Sequence, residues 1–156
     1  RKVACKALER EVQAENGPAA AIELEDGTIV TGRTGELLGA ASAALLNALK
    51  TLAGIDDAVK LVAPEAIEPI QHLKTSYLGG KNPRLHTDEI LIALSASAAS
   101  NPLAKKAMQQ LPALRGCEAH STVLLSSVDE QIINRLGLHL TCEPRYEMDD
   151  RMYHKH

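Results

Sequence analysis

The sequence predicts an α/β fold, a three-layer αβα sandwich with a mixed sheet of about five strands. Helical and strand-like segments alternate along most of its 156 residues, and this length suits about one domain. Aromatic residues make up only 2% of the chain, and Phe and Trp are absent. The core must therefore consist of Leu, Ile, Val and Ala, whose small volumes let helices lie close to a sheet.

The first predicted element is an amphipathic helix over residues 1–15, which Asn16-Gly17-Pro18 ends because Gly and Pro break helices. We separate residues 1–16, a helix assignable to a preceding domain, from residues 17–156, which form the sandwich domain. The chain begins inside this helix at Arg1 and not at a Met. We therefore expect it to be part of a longer protein.

Five segments have the pattern of strands. Asp26-Gly27 separates the first two segments and predicts a hairpin, because both residues tolerate positive φ. A short apolar run predicts the third strand, and the run that begins at Cys117 is the best strand candidate. The predicted strands cover residues 19–25, 28–31, 58–63, 117–125 and 138–142.

Helices separate these strands, and their first residues suit helix starts. Thr34 and Thr87 are predicted N-caps, and Pro64 occupies a first turn. Ser127 with Glu130 fits a capping box. The first of these helices begins with small residues, so it can lie close to a sheet. The predicted helices cover residues 36–53, 64–78, 88–100, 101–112 and 127–137.

Composition excludes several classes of function. The net charge of −3 provides no basic field for nucleic acid or an anionic membrane. No apolar run is long enough to span a bilayer, and no signal peptide is visible. The chain has three cysteines that lie far apart in the sequence, Cys5, Cys117 and Cys142. An odd number of widely separated cysteines favours reduced thiols and a cytoplasmic location.

Several long motifs resemble a known bacterial family over nearly the whole chain. They lie at residues 20–27, 38–43, 64–70, 82–89 and 115–121. The chain resembles the C-terminal part of proteins known as domain of unknown function 1846, also called uncharacterised protein family 0371. The resemblance implies cytosolic proteins with upstream domains and no assigned activity, and it identifies no cofactor.

The resemblance also implies a fold similar to that of cytidine deaminases, in which a helix follows a hairpin. A zinc deaminase needs a His or Cys and a catalytic Glu at the start of that helix, and a later Pro-Cys-x-x-Cys pair. Here no His or Cys lies between Cys5 and His72, and no Cys-x-x-Cys occurs. Zinc then lacks a tetrahedral site, so we predict a cytidine-deaminase-like fold without zinc-dependent deamination.

The loop before the helix over 88–100 is the first candidate site. Asn82, Arg84, His86 and Asp88 are its candidate ligand-binding residues. Cationic side chains beside a helix N-terminus can hold a phosphate or a carboxylate, although Asp88 places negative charge at the same end. The alternative interpretation is a solvated loop before an ordinary helix cap.

The strand from Cys117 provides the second candidate site. Side chains alternate along a strand, so Glu118 and His120 share one face about 7 Å apart, where they can present an acid and a base to one ligand. His139 and Glu143 extend this patch if the last strand is a neighbour. The alternative is a pair of solvent-facing edge strands or a face buried against another domain. No Cys or His spacing is diagnostic of a metal site, so we predict none.

Two functions remain open at this point. In the first, the domain binds or transforms a small anionic metabolite, and catalytic Glu118 and His120 meet Arg84 and His86 in one cleft. In the second, it is a non-catalytic assembly module whose polar strand face packs on upstream domains or on a second copy. Neither function involves nucleic acid or a membrane. The first requires that the loop and the strand face converge on one side of the sheet.

Overall fold

Six α-helices and four strands make up the part of the chain that the computed structural model describes, residues 1–147. The helices are α1 (Lys2–Gln13), α2 (Ala40–Ala53), α3 (Pro64–His72), α4 (Thr87–Ala98), α5 (Pro102–Met108) and α6 (Ser127–Arg135). The strands are β1 (Ala19–Glu23), β2 (Ile29–Arg33), β3 (Glu118–Ser121) and β4 (His139–Cys142). A π-helical turn, Leu73–Tyr77, extends α3. The α/β fold is confirmed, with four strands in place of about five.

The strands form one mixed sheet in the order β2-β1-β3-β4. Strand β1 is antiparallel to β2 and to β3, whereas β3 and β4 are parallel. Ala21 lies opposite Thr31 on one side and opposite His120 on the other, and His120 lies opposite Thr141. This order leaves β2 and β4 as the two edges of the sheet.

The predicted hairpin between β1 and β2 is confirmed, but its turn is longer than two residues. The amide of Leu24 donates to the carbonyl oxygen of Thr28, and the amide of Gly27 donates to that of Leu24. Gly27 has a φ of 89°, whereas Asp26 has no positive φ. This is a three-residue loop in which a glycine follows a tight turn. Gly27 alone therefore supplies the positive φ.

The predicted strand over residues 58–63 is wrong, because this segment is irregular. Leu61 and Val62 are buried in the main core, as their apolar side chains require. However, Nζ of Lys50 donates to the backbone carbonyl oxygens of Asp57 and Val59, at 2.7 and 3.1 Å. A lysine on α2 thus satisfies acceptors that a neighbouring strand would otherwise pair. The segment is buried without joining the sheet.

The start of α2 lies after Gly39, so the predicted cap at Thr34 is wrong. The amide of Leu85 donates to the carbonyl oxygen of Leu37, and the amide of Gly39 donates to that of Leu85. These bonds hold the backbone before α2 in an extended bridge to the loop around Leu85. Because the segment before α2 pairs with a distant loop, the helix begins later in the sequence than predicted.

Two other helix starts lie one residue before the predicted caps. The N-cap residue of α4 is His86 and not Thr87, and that of α6 is Ser126 and not Ser127. The Asn101-Pro102 start of α5 is confirmed, since the Asn101 side chain accepts bonds from two amides of the first turn. The caps of α4 and α6 are thus each shifted by one residue from the predicted position.

Helices lie on both faces of the sheet. On one face, which we call the α1 face, Val3 and Ala7 of α1 pack on Ala21. On the opposite face, the α2 face, Ala20 and Ile22 join the main core with side chains of α2, α4, α5 and α6. The longest helix, α2, has 14 residues, and within residues 1–147 no helix combines the length and apolarity of a bilayer-spanning segment.

Gly32 sets how closely α2 approaches the sheet. A Cβ atom at this position would lie 2.2 Å from the backbone nitrogen of Ala44 and 2.8 Å from the carbonyl oxygen of Ala40. Both atoms belong to the backbone of α2, which cannot move aside as a flexible side chain can. The small residues that begin α2 complete this contact, with Ala40, Ala41 and Ala44 all buried.

We expect Gly32→Ala to lower the free energy of unfolding by about 1–3 kcal/mol, since the added methyl forces α2 away from β2. Urea denaturation measures the change. Gly35→Ala is the matched control, because a Cβ there meets nothing within 4 Å. Equal stability of the two variants would show that α2 can shift at no cost.

Candidate acid–base site

The starts of α4 and α6 meet at a cluster around His86. His86 is the N-cap residue of α4, and Asp129 lies in the first turn of α6. The amide of Asp129 donates to Oγ of Ser126, 3.2 Å away, so the N-cap of α6 fixes the turn that carries the carboxylate. Two helix starts thereby place an imidazole beside a carboxylate.

The Asp129 carboxylate accepts bonds from both residues that begin α4. Its Oδ1 accepts from the amide of Thr87 at 2.8 Å and from Oγ1 of Thr87 at 2.7 Å. Its Oδ2 lies 3.4 Å from Nδ1 of His86. Thr87 is fully buried, and the Asp129 side chain is 12% exposed. The carboxylate is therefore held rigidly behind the imidazole ring.

The proximity of these two groups shifts both pKa values. Burial by itself raises the pKa of Asp129, but the bonds from His86 and Thr87 outweigh it and hold that pKa below its ordinary value. The bond to Asp129 raises the pKa of His86, and partial burial opposes this only in part. The pair therefore favours a carboxylate beside an imidazolium.

Lys74 and Glu89 hold the loop that carries His86. Oε1 of Glu89 accepts from the amide of His86 at 2.8 Å and from Nζ of Lys74 at 2.8 Å. The same ammonium donates to the carbonyl oxygen of Arg84 at 2.5 Å. Lys74 lies in the π-helical turn, a form that is frequent at functional sites. The charge of Glu89 is thus matched by a lysine, not by the imidazole.

The exposed part of His86 is the end of the cluster that solvent can reach. Its side chain is 34% exposed. Nδ1 faces Asp129, whereas Nε2 has no hydrogen-bond partner within residues 1–147. A histidine with one nitrogen on a buried carboxylate and the other nitrogen accessible can donate or accept a proton.

The other predicted ligand-binding residues shape the loop. Arg84 is buried, and its Nε donates to the carbonyl oxygen of Gly35. Oδ1 of Asn82 accepts from the amide of Arg84 at 3.0 Å, and Oδ1 of Asp88 accepts from the amide of Glu89 at 2.8 Å. Arg84 therefore ties the loop to the segment before α2, and its Nε does not face solvent.

The predicted catalytic pair on β3 lies under α1. Nδ1 of His120 lies 2.7 Å from Oγ1 of Thr141, and Nε2 lies 2.8 Å from Oε2 of Glu143. Only 5% of the His120 side chain is exposed. Glu118 instead forms an ion pair with Arg1 at 2.8 Å. Because both ring nitrogens of His120 are hydrogen-bonded and buried, we assign this histidine a structural role.

The expected convergence of the loop and the strand face in one cleft is wrong. Along β3, Ala119 joins the main core on the α2 face, so its neighbours Glu118 and His120 face α1. Leu85, between Arg84 and His86, belongs to the same main core as Ala119. The sheet therefore separates the two groups of predicted residues.

Sequence reasoning missed the two residues that complete the cluster, Asp129 and Lys74. Asp129 was visible only as a first-turn acid of a predicted capping box, and Lys74 only as a charged residue inside a helix. The spacing from Ser126 to Asp129 is the one local signal, since it marks a helix start that presents a carboxylate. Their partner, His86, lies 43 residues from Asp129 along the chain.

Comparison with known proteins places this chain in a family. The family described as "Domain of unknown function DUF1846, C-terminal" matches residues 1–153. A UPF0371 protein of Corynebacterium glutamicum (strain R) is 56% identical over 147 residues, which cover 94% of this chain and 30% of that protein. A UPF0371 protein of Streptococcus pneumoniae serotype 19F (strain G54) is 48% identical over 155 residues, 99% of this chain and 31% of that protein. The chain thus spans under a third of the length of these relatives.

We expect Asp129→Asn to lower the pKa of His86, because a neutral amide no longer stabilises the imidazolium. An NMR titration of the His86 ring measures this. The stability that the raised pKa contributes is present below the unfolded pKa of histidine and is lost as pH rises through the folded pKa, so the variant should lose that dependence. Asp88→Asn is the matched control, since the Asp88 carboxylate bonds the Glu89 amide. Equal shifts in both variants would contradict the pairing.

We expect His120→Ala to lower the free energy of unfolding by about 1–3 kcal/mol, because Thr141 and Glu143 lose a buried partner. His139→Ala on the exposed edge strand is the control and should change stability by less than about 0.5 kcal/mol. Chemical denaturation of both variants measures the difference. A neutral His120→Ala would remove the structural assignment of this residue.

Proposed function

The chain belongs to the DUF1846 family, whose C-terminal domain it matches. From this premise we propose that the chain binds a small anionic metabolite beside His86 and exchanges a proton with it. The observation that carries this proposal is the imidazole of His86, one-third exposed, with its Nδ1 on the buried Asp129 carboxylate. This arrangement fixes the ring and stabilises its charged form. The family description assigns no activity, so the site alone supports the reaction class.

The charged form of His86 itself favours an anion as the ligand. The raised pKa of His86 favours its imidazolium form, which attracts a carboxylate or a phosphate. The start of α4 adds the positive end of a helix dipole at the same place. Glu89 would oppose an anion, but Lys74 lies 2.8 Å from its carboxylate and compensates its charge. Asp88 and Asp129 place further carboxylates at this end, so attraction of an anion depends on the imidazolium of His86 and the start of α4.

Proton exchange is the chemistry that the Asp129–His86 pair supports best. A general acid or base needs a ring nitrogen within reach of the substrate and a carboxylate that stabilises the charged ring. Nε2 of His86 and the Asp129 carboxylate meet these two needs. His120 also contacts a carboxylate, but it has no ring nitrogen within reach of a substrate, because Thr141 and Glu143 occupy both nitrogens under α1.

A cytoplasmic location is part of this proposal. Cys5, Cys117 and Cys142 are all free thiols. Burial raises the pKa of Cys117 and of Cys142, so both remain protonated at neutral pH. Inert, reduced thiols suit a reducing compartment.

A non-catalytic assembly role is the second candidate function. The chain spans under a third of the length of its relatives, so most of each relative is available to pack against this domain. Leu73, Tyr77 and Leu78 at the π-helical turn are 46%, 72% and 72% exposed and offer an apolar surface for such packing. The polar face of β3 is covered by α1 and is a poor interface. Sedimentation equilibrium of the chain with and without Tyr77→Ser tests self-association through this surface.

Specific anionic metabolites should raise the melting temperature of the chain in a thermal-shift screen of inorganic phosphate, sugar phosphates, nucleotides and dicarboxylic acids. A ligand at 100 times its Kd stabilises by about 2.7 kcal/mol. We expect His86→Gln to abolish the shift and the matched His139→Gln to retain it. Affinity should also fall as pH rises through the raised pKa of His86, because the anion binds the imidazolium. Retention of the shift by His86→Gln would place the ligand elsewhere.

A further inference from the structure

The geometry points to a second binding site, independent of His86, at the free edge of β2. We infer that an extended acidic peptide segment pairs there with β2 and adds a fifth strand to the sheet. The site lies between α1 and α2, and it uses backbone groups and cationic side chains together. Strand addition is one of the recurring modes of peptide recognition.

The register shows which backbone groups of β2 face outward. Leu24 bonds to Thr28, and Thr34 bonds to Pro18, so the hydrogen-bonded positions alternate from one end of the hairpin to the other. Ile29, Thr31 and Arg33 occupy the alternate positions, and their amides and carbonyls point away from β1. The outer row of β2 is thus open to another strand.

One polar side chain already uses this row. Nδ2 of Asn47, on α2, donates to the carbonyl oxygen of Thr31 at 2.8 Å. This bond confirms that the Thr31 backbone faces outward. Within residues 1–147 it is the one side-chain bond found on the outer row, so the amides of Thr31 and Arg33 remain available to an incoming carbonyl oxygen.

A cleft of about 730 Å³ runs along this edge. Arg10 of α1 lines it from the α1 face, and Leu46 and Asn47 of α2 line it from the α2 face. Because helices from both faces border the cleft, it must lie beside the edge strand and not over either face. Its volume is within the range of about 300–1,000 Å³ that suits bound ligands.

The side chains that line the cleft define the class of occupant. The apolar ones include Val30, Leu61 and Val62, which can contact alternate side chains of an extended segment. Four cations stand against two carboxylates on the lining: Arg10, Arg33, Lys50 and Lys60 against Glu36 and Asp57. Lys50 faces Asp57 at 3.7 Å. The remaining cations favour a segment that alternates apolar and acidic residues.

Edge strands often carry charged residues only to prevent aggregation, and Arg33 alone would fit that role. The other features do not. A residue that merely blocks pairing needs no concave volume beside it, and Lys60 approaches from a loop that Lys50 holds in place through its backbone carbonyls. Convergence of three separate segments on one strand edge is typical of a binding site.

The test uses a fluorescein-labelled peptide of about eight residues that alternates Val and Glu, a length that spans β2. Fluorescence anisotropy should show saturable binding to the chain that weakens as salt increases. We expect Arg33→Glu and Lys60→Glu to weaken binding by about tenfold each, through loss and reversal of charge. Lys106→Glu, at an exposed position of α5, is the matched control and should leave the affinity unchanged.

Hydrogen exchange distinguishes strand pairing from binding by charge alone. On binding, the amides of Thr31 and Arg33 should exchange more slowly, and a peptide N-methylated at alternate residues should lose its affinity. Absence of binding, or binding without protection of these amides, would overturn strand addition. Full competition by inorganic pyrophosphate would indicate a small-anion site instead, and a dimer broken by Arg33→Glu would indicate a second copy as the occupant. His86→Gln should leave peptide binding intact, so failure of one site is distinguishable from failure of the other.

Discussion

The close backbone contact between α2 and β2 at Gly32 is the constraint on which the rest of the structure depends. With no Phe or Trp in the chain, the core gains its burial from many small side chains at short range. Gly32 lets the two backbones meet, and the alanines of α2 fill the remaining space. The same helix then positions the candidate site, because Oγ of Ser42 donates to the carbonyl oxygen of Leu85 at 2.9 Å. The loop that carries His86 is therefore anchored to α2.

His86 and His120 show how environment assigns roles to identical side chains. Each ring contacts a carboxylate, Asp129 in one case and Glu143 in the other. His120 is enclosed under α1 and has both nitrogens bonded, so it links β3 to β4 and to the segment that follows. His86 is partly exposed and bonded through one nitrogen. Solvent exposure and an accessible ring nitrogen, and not residue type, distinguish a candidate acid–base histidine from a structural one.

Helix α1 covers the polar face of the sheet through a small apolar contact and ion pairs. Val3 and Ala7 give α1 a narrow apolar contact with the sheet. Ion pairs then hold its two ends, Arg1 with Glu118 and Glu11 with Arg145. The exposed Arg1–Glu118 pair contributes little by itself, whereas Glu11 is largely buried and accepts two bonds from Arg145 at 3.1 and 3.2 Å. Glu118 on β3 thus serves the attachment of a helix.

The sequence by itself determined the α/β class, the hairpin, the family resemblance and the order of elements except at residues 58–63, because periodicity, turn residues and motifs are local properties. The tertiary structure alone decided that residues 58–63 remain irregular, where a lysine on α2 bonds the carbonyl oxygens of Asp57 and Val59. It also decided that Asp129 joins His86 and that the His120 side chain lies on the opposite face of the sheet, under α1. Partners that are far apart in sequence meet only through packing, and a pattern along one segment does not specify which face or neighbour that segment will find.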